Sequence, residues 1–164
     1  MAMGDALAIT VLERRGFRED DFALLHPGGS LGKKLLLRVS DLMHEHDRTP
    51  MVFEEDSMKL VLLEMTSKRL GVTGVCNEAH DLIGIVTDGD LRRALEKGLD
   101  ILKTTARDVM TPSPKTISRD ALAAEAVRKM ELHSITCLFV SEGTPPCRID
   151  GIIHLHDILR AGVV

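Results

Sequence analysis

The sequence predicts a mixed α/β fold of the α+β kind, built twice from one pattern. Each copy is a small three-stranded sheet with two helices, and the copies pair pseudo-symmetrically. Three observations predict this. The segment Gly84-Ile85-Val86-Thr87-Asp88-Gly89-Asp90-Leu91 returns 67 residues later, beginning Gly151-Ile152-Ile153-His154-Leu155-His156-Asp157. Val39-Ser40-Asp41-Leu42-Met43 matches Ala106-Arg107-Asp108-Val109-Met110 at the same offset. Between these anchors the offset falls to 65, where Met65 answers Met130 and Val75 answers Val140. The second copy therefore carries two extra residues, and 142–146, with Gly143, Pro145 and Pro146, has the turn chemistry to hold them. Self-similarity at a fixed period marks a tandem architecture, and two copies suit a closed pair sharing one interface better than an open solenoid.

The elements follow in order. Residues 4–15 carry Ala6, Leu7, Ile9, Val11 and Leu12 and stop at Gly16, which reads as a short helix without a repeat partner. His26-Pro27-Gly28-Gly29-Ser30-Leu31-Gly32 is a turn feeding an apolar run to Leu37. Each copy opens with a helical turn, 40–43 or 107–110, and a brief extended segment, 50–53 or 115–117. A helix comes next, near 57–69 or 120–132, because Met58, Val61, Leu62 and Met65 recur at helical spacing, as do Leu122, Ala126, Val127 and Met130. Those methionines are most simply core. Asp56 and Asp120 stand at the helix starts, where a carboxylate suits the positive end. Short apolar runs at 72–76 and 82–86, and at 137–140 and 149–153, are strands. A last helix, 88–97 or 156–161, closes each copy. Such a unit buries its own sheet poorly and should pack against the other.

Bulk properties exclude several functions. The 164 residues are 44% hydrophobic, enough for a sizeable core. No apolar run approaches the roughly 20 residues of a membrane helix, and the start lacks secretory-signal character, so no membrane partner and a cytoplasmic location are expected. Cys76, Cys137 and Cys147 are odd in number and unrelated in spacing, which offers neither a disulfide framework nor a metal knuckle. A net charge of −4 with thinly spread Lys and Arg, no Trp, no Tyr and four Phe argues against nucleic acid.

Chemistry concentrates where the strand ending at Thr87 meets the helix holding Asp90. A hydroxyl residue, a carboxylate three positions later and free backbone N–H groups can clamp a sugar: the carboxylate accepts a ribose diol, and the threonine and helix end hold a phosphate. The same residues also make a capping box, and residue chemistry alone favours that plainer reading. Arg92 and Arg93 follow and can reach a phosphate, although solvent exposure is the ordinary fate of such charges. His44 and His46, like His154 and His156, are spaced to share a strand face, but neither pair has a third ligand nearby, and zinc takes three or four, so no metal is expected.

The repeat, with GIVTDGDLRR and GIIHLHDIL, resembles a tandem of cystathionine-beta-synthase (CBS) domains, a Bateman module, over about 38–164. The resemblance implies adenine-nucleotide or related ligands held by Thr87 and Asp90 in the first copy. It implies a base site at Thr49, Pro50, Val52, Val72 and Thr73, matched in the second copy near Pro114, Thr116, Thr136 and Cys137. The second copy keeps Asp157 but departs from the pattern with His154, where Ser or Thr is expected. A protonated His154 could meet a phosphate instead.

From GDALAITVLERRGFREDDFALLHPGGSLGKK to the terminal LRAGVV, the whole chain resembles the C-terminal part of the bacterial D-arabinose-5-phosphate isomerase family, whose activity starts Kdo synthesis for lipopolysaccharide. That implies a sugar isomerase (SIS) domain ahead of the CBS pair. Residues 1–37 would be its remnant and linker, with Met1-Ala2 partly a cloning remnant, and the repeats would be 38–100 and 104–164. His26 matches the HPGG histidine that serves the isomerase site, where a base moves a proton between neighbouring carbons. Alone it cannot act, so this stretch is expected to be inactive. Deprived of their partners, Leu7, Val11 and Leu12 are expected in a segment that is disordered or packed on a neighbouring chain.

The implied function is a regulatory and assembly module. It requires no cofactor, takes AMP, ATP or CMP-Kdo as effector, partners its own SIS domain and forms a dimer of CBS pairs, a tetramer in the whole enzyme. The rival readings are a purely structural dimerisation module with empty clefts, or the CBS module of another SIS-type sugar-phosphate isomerase.

Overall fold

The computed structural model describes residues 36–163. His26 and the apolar helix predicted over 4–15 lie outside them. In chain order the elements are α1 (Val39–Leu42), β1 (His44–Glu45), a 3-10 turn (His46–Arg48), β2 (Met51–Phe53), α2 (Met58–Lys68), β3 (Val72–Cys76), β4 (Leu82–Thr87) and α3 (Asp88–Glu96). After a second 3-10 turn (Ile101–Lys103) come α4 (Ala106–Val109), β5 (Thr111–Pro112), β6 (Thr116–Ile117), α5 (Ala123–His133), β7 (Cys137–Val140), β8 (Gly151–His154) and α6 (Leu155–Ala161).

Each sheet has four strands rather than the expected three, in the orders β2-β3-β4-β5 and β1-β8-β7-β6. The fourth strand comes from the other copy. β1 of the first copy pairs antiparallel with β8 of the second, and β5 of the second pairs antiparallel with β4 of the first. Each opening helical turn crosses with its strand. Val39 of α1 joins the core built on α5 and β7, whereas Ala106 and Val109 of α4 join the core built on α2 and β3. Two-residue strands have no periodicity to read, and Pro112 suits only an edge.

The crossing explains why the repeated motif begins with glycine. A Cβ on Gly151 would stand 2.3 Å from the His44 carbonyl oxygen, and one on Gly84 would stand 2.3 Å from Met110 Sδ. The exchanged arm lies where a side chain would project.

Three buried clusters hold the body together. One lies between helices and sheet in each copy, with Met58, Val61 and Met65 in the first and Ala126, Val127 and Met130 in the second. The third, Val72, Leu82, Cys137, Phe139 and Ile152, joins the two sheets face to face. Alternation along the strands feeds both sides: Val75 packs under the helices, while Val72 and Gly74 face the other copy. Cys76 and Cys137 are buried strand thiols, each pushed up to about 11 by burial.

Two expected helix starts are corrected. Ser57 and Leu122 precede α2 and α5, and neither makes a side-chain cap. Asp56 Oδ2 instead accepts from the Phe53 amide at 2.7 Å, closing a turn one residue too early to cap the helix. Asp120 stands two residues before the N-cap of α5, and its carbonyl accepts from the Arg38 guanidinium. The two additional residues of the second copy fall in the β7–β8 loop, since Val75 pairs with Gly84 but Val140 with Gly151.

Candidate functional site

At the β4–α3 junction Thr87 is extended, with φ −121° and ψ 167°, and caps α3. Asp90 Oδ2 accepts from the Thr87 amide at 2.9 Å and its hydroxyl at 2.6 Å, while Thr87 Oγ1 accepts from the Asp90 amide at 3.3 Å. The capping box is therefore real. Its other oxygen is also engaged: Asp90 Oδ1 accepts from Arg93 Nη2 at 2.5 Å and from Thr111 Oγ1 at 2.6 Å. Thr111 arrives on the crossing strand β5, so a residue of the second copy helps to satisfy a carboxylate of the first that is only 4% exposed.

Burial raises the Asp90 pKa, but the hydrogen bonds from Thr111, Thr87 and Arg93 outweigh it and hold the carboxyl below its ordinary value. A depressed folded-state pKa contributes stability that is complete above the unfolded value of 3.8 and is lost as pH falls through the lower folded value. Asp90→Asn is therefore expected to be less stable by about 1–2 kcal/mol at pH 7. Thermal unfolding from pH 7 to 3 should show the gap closing below about pH 4. A constant gap would mean that the charge is not used.

A cavity of about 570 Å³ opens over this junction at the seam between copies. Of the expected residues, Thr87, Asp90 and Val72 line it from the first copy, and Pro114, Thr136 and Cys137 from the second. Asp88, Arg93, Ser113, Lys115 and His133 line it too. Among these, sequence reading singled out only Arg93. Lys115 carries no periodic signal, and its place follows from the crossing of β5.

The rest of the expected set is not brought to this cavity. Val52 packs in the helix-side core, because β2 alternates and turns Met51 toward the seam instead. Thr73 points the same way as Val75, is fully buried, and its hydroxyl has no partner among the described residues; the 65-residue offset gives Leu138 as its counterpart. Pro50 is buried, and its carbonyl accepts from the Gly74 amide at 2.9 Å. Thr116 Oγ1 donates to the Gly143 carbonyl at 3.0 Å, which ties down the longer β7–β8 loop. Thr49 lines a separate hollow of about 440 Å³ with His46, His80 and Arg148.

The equivalent junction in the second copy is built differently. His154 is the N-cap of α6, and its Nδ1 accepts from the His156 amide at 3.1 Å, so no capping box forms with Asp157. Asp157 Oδ2 instead meets His44 Nε2 at 2.8 Å. His44 stands 67 residues before Thr111, so the same link between copies is made once by a hydroxyl and once by an imidazole. Burial, with His156 and His44 nearby, holds His154 below the ordinary histidine value despite the opposing pull of Asp157. The expected pairing of imidazoles on strand faces is corrected. β1 ends at Glu45 and His46 turns away with φ 52°, while His156 lies in α6, its ring centroid 4.9 Å from that of His154.

Comparison with known proteins fits this architecture. Over all 164 residues the chain is 47% identical to the arabinose 5-phosphate isomerase KdsD of Escherichia coli K12 and 48% identical to that of Pseudomonas aeruginosa PAO1. It spans 49% and 50% of their lengths, about half of the curated relatives it matches. CBSX2 of Arabidopsis thaliana, solved in complex with AMP, aligns at 25% identity with a TM-score of 0.62, over 77% of this chain and 96% of that one. No helix among the described residues is long and apolar enough to cross a membrane. The CBS domain model matches residues 39–97 and again 106–164, once over each copy, so the chain belongs to the CBS domain family as a tandem pair.

Proposed function

We propose that this CBS pair is the regulatory and assembly module of a cytoplasmic arabinose-5-phosphate isomerase, which interconverts D-ribulose 5-phosphate and D-arabinose 5-phosphate in Kdo synthesis. Its effector is a nucleotide or nucleotide sugar held between the copies. One observation carries the reading: the cavity of about 570 Å³ is walled by both copies, so its occupant touches two bodies at once. A ligand that contacts both favours the arrangement in which both contacts are made, and it can bias an attached catalytic domain only through that differential affinity. The likeness to relatives named arabinose 5-phosphate isomerase supports the catalytic context, and CBSX2, solved with AMP, supports the ligand class. By resemblance the isomerase chemistry belongs to a companion SIS domain and to His26. Residues 1–37 as SIS remnant and linker, 38–100 and 104–164 as the repeats, and a dimer of pairs inside a tetrameric enzyme complete the proposal.

The rival reading, a structural module with empty clefts, draws on the full hydrogen bonding of Asp90 within the protein. Calorimetric titration with AMP, ATP and CMP-Kdo separates the two. Saturable heat with one of them is expected, and silence from all three at millimolar concentration would leave only the structural role.

A further inference from the structure

We infer that Arg93 and Lys115 are the phosphate-reading pair of the seam cavity, and that Arg93 exchanges Asp90 for the ligand's phosphate on binding. This rests on the nucleotide reading above and adds to it which side chains distinguish a nucleotide from its nucleoside. Arg93 lines the cavity, is 60% exposed and spends its guanidinium on Asp90 Oδ1. The guanidinium lies back over Gly89, where a Cβ would stand 3.4 Å from Nη1, so it rests across the first turn of α3. A cation there is disfavoured by the positive end of the helix and is held by its carboxylate partner. Asp90 does not need Arg93 to stay satisfied. Thr111 still donates to Oδ1, and the Thr87 amide and hydroxyl still donate to Oδ2. The arginine can therefore leave without stranding a buried acceptor, which is the costly outcome.

Lys115, on the second-copy wall of the same cavity, is exposed and has no carboxylate within ion-pair distance among the described residues. One cation comes from each copy. A phosphate between them makes charge-assisted bonds to both bodies, whereas an uncharged nucleoside makes neither. Asp88 also lines the cavity without a hydrogen-bond donor among the described residues and opposes a bare anion, so a ligand also offering hydroxyls is favoured over free phosphate.

The experiment is calorimetric titration of AMP and adenosine into the whole chain, its Arg93→Ala, Arg93→Lys and Lys115→Ala variants. The unsubstituted protein is expected to prefer AMP by at least about tenfold. Arg93→Ala and Lys115→Ala should each cut the preference severalfold, the double variant should bring AMP down to the affinity of adenosine, and Arg93→Lys should keep part of what Arg93→Ala loses. Equal binding of AMP and adenosine by the unsubstituted chain, or a preference left undiminished in Arg93→Ala or in Lys115→Ala, overturns the assignment and leaves the nucleotide reading standing. Binding of neither also overturns the assignment, and the nucleotide reading falls with it only when ATP and CMP-Kdo are silent as well.

Discussion

Phe139→Ala is expected to cost about 3–5 kcal/mol of unfolding free energy, the usual price of deleting a large buried aromatic. Phe139 is fully buried, the largest such side chain among the described residues, and it belongs to the cluster joining the two sheets. Its neighbours cannot simply close over the void, because they belong to two sheets, each held by its own helices. The ring also occupies the space that Gly74 leaves open, since a Cβ there would stand 2.9 Å from Phe139 Cζ. The truncation should therefore loosen the seam specifically. Urea unfolding should show a lower midpoint and a transition that broadens or splits as the copies cease to unfold together. A loss under about 1 kcal/mol with a single sharp transition would show that the seam does not hold the copies together.

Gly151→Ala should be nearly as damaging, at about 3 kcal/mol, although it adds only one methyl group. The obstacle is backbone: the His44 carbonyl oxygen would lie 2.3 Å from the new Cβ, and the carbonyl carbon 3.2 Å. β1 would have to lift from β8, taking His44 away from Asp157. Gly89→Ala is the natural comparison. Its new Cβ meets Arg93 and Thr87 at ordinary contact distances of 3.4 and 3.5 Å, in a helical position where alanine is favoured. It should be neutral or slightly stabilising in the same thermal unfolding assay. Similar losses for the two alanines would argue that the arm does not press on Gly151.

Much of this architecture is legible in the residues because its signals are periodic. The helices announce themselves through Met58, Val61 and Met65 and through Ala126, Val127 and Met130, and the pairing of copies through Gly84 and Gly151. The crossing is not legible, since β1 and β5 are two residues long and their partners lie across the other copy. The same crossing decides which residues reach the site. The family resemblance implies a base site that includes Val52 and Thr73, whereas the strand pleat turns both under the helices. Thr111, Pro114 and Lys115, which do line the cavity with Thr87, are delivered by the exchanged arm. The cap reading of Thr87 and Asp90 was open to local reasoning because a capping box spans three residues. What Thr111 adds to it was not.

The exchanged arms bear on how such a body could have arisen. A single-copy ancestor would present one sheet lacking its edge strand and one arm without a seat, and two such chains could complete each other only by trading arms, in an equilibrium that dilution dissolves. Joining the two sequences end to end keeps every contact of that trade and makes it unimolecular, with the tether acting as a high local concentration. It also releases the two halves from identity, which is how one arm can offer a hydroxyl to its aspartate while the other offers an imidazole.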